Sequence, residues 1–412
     1  MSAANLKVDA GPGADEPIRL LVGEADIPAG TRIVYGPDKA FDTIQHEVAL
    51  AGGSRAFLVT GRSLGASDLV ARLKAALGER CVGRFAGMGE HSPRSTVVAA
   101  AREATAAGAD VLIGIGGGSS IVGTKGVALV MGEGEDLDAL RAVYDYQTRK
   151  ITVPPLLKAK PAIIAIPTTL SAGEFSSAMG ITSDEGAKDI FIDPKVVPRT
   201  IILDPVMTTA TPPRLWASTG IKGLHNAVER YYARNVNPFM EGLCLEAIRN
   251  VFRYLPLSIE RPDDLGARGH LQFLNWMTAF GAGKGGIGLG HGICHQLGGL
   301  CDVPHGISGC IVLPHMMVFN RPATLERQRE MAAAMGLPVD EMSIEDAAIA
   351  AAEKVRGLIA SLGLPQRLRD VGVSRDALPK VAELTLRDRT LSPTPRPPRD
   401  AEEILQLLEE MY

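Results

Sequence analysis

Between residue 32 and about residue 200, short β-branched or apolar runs alternate with alanine-rich stretches of helical spacing, and this rhythm constrains the fold most. "TRIVYG", "RAFLVTG", "CVGRFAG", "DVLIGIGGG" and "PAIIAIPTT" read as strands, with helical patterns such as "DLVARLKAALG" and "PRSTVVAAAREATAAG" between them. A strand, a helix and a further strand in that order run the strands parallel and lay the helix over them, which predicts an α/β domain with a parallel sheet. The turn-rich "MGITSDEGAKDIFIDPKVVPRTIILDP" interrupts the rhythm and predicts a β-hairpin. Beyond about residue 207 the strand signal fades into long helical patterns such as "EGLCLEAIRNVFRYLPLSI" and "IEDAAIAAAEKVRGLIASLG". The expected organisation is an arm over residues 1–30, an α/β domain over 31–206 and an all-α domain over 207–412.

Composition narrows the function classes. The 412 residues, 46% of them hydrophobic, supply a core for each part. Lysine plus arginine (43) nearly balances aspartate plus glutamate (47), with no long run of either sign, so nucleic acid is not an expected partner. No apolar run approaches the ~18 residues of a membrane span, and the N-terminus lacks a basic segment followed by an apolar one. A soluble cytoplasmic protein is expected. Cys81, Cys244, Cys294, Cys301 and Cys310 form no CxxC pair and read as buried thiols in a reducing compartment.

Two loops carry the signature of a nucleotide site. In "DVLIGIGGGSSIVGTKGVAL" a buried strand runs into Gly116, Gly117, Gly118, Ser119 and Ser120 before a helical pattern. Glycines at such a turn admit a ligand to the backbone, and amides at a helix start suit phosphate oxygens; the alternative is a tight strand-helix connection. "IPTTLSAGEFSS" places Thr168, Thr169, Ser171 and Ser176 where the next strand ends, Ser176 reading as a turn or cap residue. Ligands of open α/β sheets bind outside the carboxyl ends of strands, so the two loops together favour a dinucleotide.

Further along, "GIGLGHGICHQLGGLCDVPHGISGCIVLPH" gathers His291, His295, His305 and His315 in an otherwise histidine-poor chain. This clustering suits a metal or an acid-base site, with His315 read as satisfying a buried hydrogen bond. "GIKGLHNAVERYYA" reads as a turn of loop entering a helix, and brings Lys222, His225 and Asn226 within five positions.

In this order, "GGGSS" with Lys125, "PTT", "GAKD", "ILDP", "AVE", "HGICHQLGG", "VPHG" and "LPHMMVFN" resemble the iron-containing, or group III, alcohol dehydrogenase family. The ending "PTPRPPRDAEEILQLLEEMY" resembles its maleylacetate reductase branch. The resemblance implies a dinucleotide-binding α/β domain, a helical domain as in the related dehydroquinate synthases, and hydride transfer between a nicotinamide and a carbonyl or alcohol. It also implies a homodimer, a small-molecule substrate from aromatic or similar catabolism, and Lys188 of "GAKD" at the cofactor site. After "AFLVT" the family often carries an Asp for the adenosine ribose. Here Gly61, Arg62 and Ser63 stand there, and a missing carboxylate beside an arginine admits NADP as well as NAD; Arg62 facing solvent is the alternative.

In metal-dependent members an Asp and a His four apart on a helix, a His of "HxxxH" and the His of "PHG" hold Fe²⁺ or Zn²⁺. The last two correspond to His291 and His305, but the first two positions are Lys222 and Asn226. An ammonium repels a divalent cation and a carboxamide is a poor ligand, so no metal is expected. His225 is one residue away from the ligand position, a rotation of about 100° on a helix. Lys222 is expected to stabilise developing alkoxide charge or hold a substrate carboxylate, the alternative being a salt-bridged lysine with no chemical task. His291, His295 and His305 are candidates for carboxylate binding or proton delivery, with His295 near the nicotinamide by analogy. Other readings are a metal enzyme using His225, His291 and His305, and a non-catalytic dinucleotide-binding homologue.

Overall fold

The computed structural model describes residues 30–145, 150–280 and 286–412, so the predicted arm, apart from Gly30, lies outside the described residues. Six strands form one parallel sheet in the order β1-β10-β7-β4-β2-β3. They are β1 (Arg32–Tyr35), β2 (Ala56–Thr60), β3 (Cys81–Phe85), β4 (Val111–Gly116), β7 (Ala162–Pro167) and β10 (Thr200–Leu203). Two antiparallel pairs stand apart: β5 (Val143–Asp145) with β6 (Lys150–Thr152), and the expected hairpin of β8 (Ala178–Thr182) with β9 (Lys188–Ile192).

The central strand β4 shows why the sequence folds this way. Its side chains alternate between two cores: Val111, Ile113 and Ile115 pack with Ile44, Val70 and Leu73, while Leu112 packs with Val97, Ala100 and Val127 on the other face. Burial on both faces explains its continuous apolar run, since a strand with one wet face would alternate with polar residues.

From Pro205 onward the regular structure is helical. The helix Pro213–Tyr231 is the core element of this half, its Trp216, Ile221, Leu224 and Val228 packing against Ile248, Val251 and Leu255 of the helix Pro238–Glu260. One sequence expectation needs correction here. No loop precedes Lys222, because the helix begins at Pro213, about two and a half turns upstream. Gly220 suggested a loop, yet its missing side chain serves close packing: a Cβ there would lie 2.7 Å from Leu255 Cδ1. Among the cysteines Cys244, Cys294 and Cys310 are buried as expected, whereas Cys81 and Cys301 are only partly so. No helix of the described residues is long and apolar enough to cross a membrane.

The buried carboxylate of Asp204, just after β10, joins the sheet to the first helices. It accepts the backbone N–H groups of Ala40 (2.9 Å), Asp38 (3.2 Å) and Val206 (2.9 Å). Asp204→Ala leaves three donors without a partner. With charged hydrogen bonds contributing roughly 1.5–3 kcal/mol each and not additively, the variant is expected to lose about 3 kcal/mol in urea denaturation.

Candidate active site

The two glycine- and hydroxyl-bearing loops leave the sheet side by side, because β4 and β7 pair through to Gly116 opposite Pro167. Gly116 has φ +134°, and a Cβ on it would lie 2.8 Å from Ser120 Oγ, so the turn requires glycine. Gly117 caps the 16-residue helix Gly118–Glu133. A Cβ on Gly117 would meet Thr169 Cγ2 at 3.3 Å, and one on Gly118 would meet Ser171 Oγ at 3.2 Å, so the loops face each other. The hydroxyls of Thr169 and Ser171 are buried with no hydrogen-bond partner among the described residues. Buried polar groups are nearly always satisfied, so two orphan hydroxyls beside a helix start fit a polar ligand such as a phosphate.

The other predicted cofactor residues divide. The Thr168 N–H bonds Gly116 O at 2.9 Å, tying the loops together. Ser119 Oγ accepts the His91 N–H at 3.0 Å, and Ser120 is buried. Gly61 lies close by, a Cβ there being 3.7 Å from Ser120 Oγ. Arg62 is exposed at the start of the short helix Arg62–Gly65. Lys188 opens β9, and its charge is close enough to Lys222 to contribute to lowering that lysine's pKa. Ser176 serves a turn as expected, accepting the Ala178 N–H at 2.9 Å.

Two lysines hold the second loop by its carbonyls. Lys222 donates to Ser171 O at 2.5 Å, and Lys125 donates to the carbonyls of Gly173 and Ser176. Burial pushes both ammonium groups down to about 8. Glu174 of the same loop is buried, and burial raises its carboxyl to about 7 against the pull of Lys125 and Lys222. The helical half is tied on by two further bonds, Leu170 N to Thr219 Oγ1 (3.2 Å) and Thr211 Oγ1 to Thr168 O (2.7 Å).

The histidines form a row beside Lys222. The rings of His291 and His305 are 5.4 Å apart and those of His305 and His295 are 5.8 Å apart. His305 is held neutral, well below the ordinary histidine value, by burial and then by the Lys222 charge. His291 lies 2.8 Å from Asn226 through Nε2 and donates Nδ1–H to Glu229. Burial and then the charge of His225 keep His291 neutral with its proton on Nδ1, so Nε2 is an acceptor, and the Asn226 amide, whose Oδ1 is the atom placed 2.8 Å away, satisfies it by turning over to bring its NH₂ there. His295 is partly exposed and bonds Asp388 through Nδ1 at 3.0 Å. His315 stands apart, bonding Ile311 O at 2.9 Å in its own helix, as expected.

Three acidic residues escaped the sequence reading. Glu229, one helical turn after His225, accepts the N–H groups of Gly288 (2.7 Å) and Gly290 (2.8 Å) at the start of the helix Leu289–Cys301. Its spacing from His225 was a usable signal. Glu174 stood unweighed among the hydroxyls of its loop, and Asp388 lies too far along the chain for any spacing to reveal. His225 is fully buried, its ring centroid 4.3 Å from that of His291 at a tilt of 35° and its Nε2 3.7 Å from Glu229. Among the described residues, His225, Glu229 and His291 form the group of ligand atoms close enough to share an ion.

A glycine-turned loop pair at the end of a parallel sheet, facing helices that carry a lysine and a row of histidines, is a setting suited to an NAD(P)-dependent oxidoreductase. The chain belongs to the iron-containing alcohol dehydrogenase family: residues 30–205 match the model described as iron-containing alcohol dehydrogenase, and residues 216–412 match that of the family's C-terminal part. It is 34% identical to the lactaldehyde reductase of Escherichia coli K12 over 291 residues, 70% of this chain and 74% of that one. It is 30% identical to the maleylacetate reductase of Burkholderia cepacia over 390 residues, 94% of this chain and 97% of that one. A solved structure of 1,3-propanediol oxidoreductase superposes with a TM-score of 0.85 at 26% identity, covering 96% of this chain and all 100% of that one.

The buried group around Glu229 gives a stability prediction. Burial opposes charge on His225, but the Glu229 carboxylate and Cys294 outweigh it and raise the imidazole from 6.5 to about 10. A raised folded value means the stability it contributes is complete below about pH 6.5 and is lost as pH climbs toward 10. Glu229→Gln removes the counter-charge, and is expected to cost about 3–5 kcal/mol near neutral pH and to flatten this pH dependence in urea denaturation.

Proposed function

We propose that the protein is a metal-independent NAD(P)H-dependent reductase of a small oxo-acid or related carbonyl compound, close in task to the maleylacetate reductases among its relatives. The observation that carries the reading is the ammonium of Lys222, held by Ser171 O beside His305, with Asn226 one turn further along. These are the two positions where metal-dependent relatives present an Asp and a His. The residues present do not fit a divalent cation: one is itself cationic, and the amide of Asn226 is engaged by His291. The group of His225, Glu229 and His291 is a poor alternative. Glu229 already accepts from Gly288, Gly290 and His291, and a Cβ on Gly290 would lie 2.5 Å from His225 Nε2, so backbone fills the space.

The cradle fits a dinucleotide, with the amides of Gly117–Ser120 and the free hydroxyls of Thr169 and Ser171 as phosphate partners. When bound, the nicotinamide would supply the hydride, to the carbonyl carbon of an aldehyde such as lactaldehyde or to the alkene carbon conjugated to the carbonyl in maleylacetate, negative charge developing on the carbonyl oxygen in both cases. The chain's own contribution is electrostatic and protonic. Lys222, fixed by Ser171 O, offers its remaining N–H bonds to the carbonyl oxygen as negative charge develops there. His305, kept neutral, offers a ring nitrogen to a polar group of the substrate, and His295 is the partly exposed histidine that delivers the proton. Arg62 is exposed, so use of NADPH alongside NADH rests on the lack, at Gly61, Arg62 and Ser63, of an acidic side chain that would repel a 2′-phosphate.

Loss of one such electrostatic donor typically costs ~10²–10³ in rate. Lys222→Met is therefore expected to lower kcat by that factor with maleylacetate or lactaldehyde as substrate, while NADH and NADPH still bind in fluorescence titration. Unchanged kcat would contradict the reading.

A further inference from the structure

We propose that Asp388 is the positioning residue for His295, fixing which ring nitrogen is free to carry a proton to the substrate. The inference rests on the reading of His295 as proton carrier and adds a residue about ninety positions later in the chain.

The carboxylate of Asp388 is held at both oxygens. Oδ2 accepts His295 Nδ1–H at 3.0 Å and Gln296 Nε2 at 3.2 Å, while Oδ1 accepts the Thr390 N–H at 2.9 Å and its hydroxyl at 2.8 Å. These donors outweigh burial and hold the carboxyl below the ordinary aspartate value. An ionised carboxylate can only accept, so the proton between the two residues belongs to His295 Nδ1. The tautomer is thereby set: Nε2 makes no hydrogen bond among the described residues and remains available to the substrate. A carboxylate behind an imidazole also balances the charge while the ring is doubly protonated.

The fold delivers Asp388 deliberately close. It follows the helix Leu378–Leu386, in the segment that docks on the helix Leu289–Cys301 at Gly292. A Cβ on Gly292 would lie 3.0 Å from Leu391 Cδ1 and 3.2 Å from Thr390 Oγ1, so glycine there lets the segment approach. Thr394 Oγ1 anchors the same segment independently, accepting the Leu289 N–H at 3.0 Å. The docking therefore does not depend on the charge of Asp388, and D388N keeps the shape and one acceptor.

The test compares wild type, D388N, H295A and the double variant, with maleylacetate and lactaldehyde as probe substrates. D388N is expected to lower kcat roughly 10²-fold, the scale of a positioned general acid, with KM within about twofold and no further loss in the H295A background. Nitrogen-15 NMR of the His295 ring gives a readout that needs no turnover: Nδ1–H in the wild type, and a mixture of tautomers in D388A. Wild-type kcat in H295A overturns the role of His295 and with it that of Asp388. Impaired H295A with full activity in D388N, an equal additional loss on both backgrounds, or an Nε2–H tautomer in the wild type overturns the Asp388 inference alone.

Discussion

The ammonium of Lys222 reaches from the middle of the helix Pro213–Tyr231 to the carbonyl of Ser171, and the site is organised around that bond. Ser171 belongs to the loop that leaves β7, and its free hydroxyl lies beside the backbone of Gly118. One side chain of the helical half therefore grips the loop that faces the glycine turn. Lys125, rising from the glycine-turn helix, grips the same loop from the other side. The loop is fixed by cations bonded to its carbonyls, and no regular secondary structure is needed to hold Ser171 in place.

Charge balance follows from this arrangement. Two buried ammonium groups face the carboxyl of Glu174 in the loop they hold, which offsets part of their burial although burial lifts the carboxyl itself to about 7. A second balanced group lies deeper, where Glu229 serves His225 and caps the helix that carries His291 and His295. In a metal-dependent relative the ion would be the largest local charge and would govern the protonation of its neighbours. Here Lys222 and His225 bring positive charge on side chains, and that charge adds to burial in keeping His291 and His305 neutral.

Much of the fold was legible because burial on both faces of a parallel sheet writes itself into the sequence as continuous apolar runs. The strands around Ile113 and Ile164 were visible on that ground, as was the facing of the Gly116 and Thr168 loops. What misled was glycine: Gly220 suggested a loop and instead lets Leu255 pack against a helix. The histidines were visible by clustering, and Lys222 by its departure from a family pattern. Glu174, Glu229 and Asp388 were not, since a carboxylate's role depends on which donors the fold brings to it. Asp388 meets His295 only after the chain has folded back on itself, and no local spacing encodes that contact.

On the proposed reading, the ammonium of Lys222 takes the electrostatic role of a metal ion. The most direct measurement is metal content by plasma mass spectrometry, with turnover before and after EDTA, for the wild type and for the variant K222D/N226H. With Lys222 in that role, the wild type is expected to hold no stoichiometric metal and to keep its turnover, and the variant with the ligand pair restored to bind Fe²⁺ or Zn²⁺. One metal ion per wild-type chain, lost together with activity on chelation, would contradict that reading.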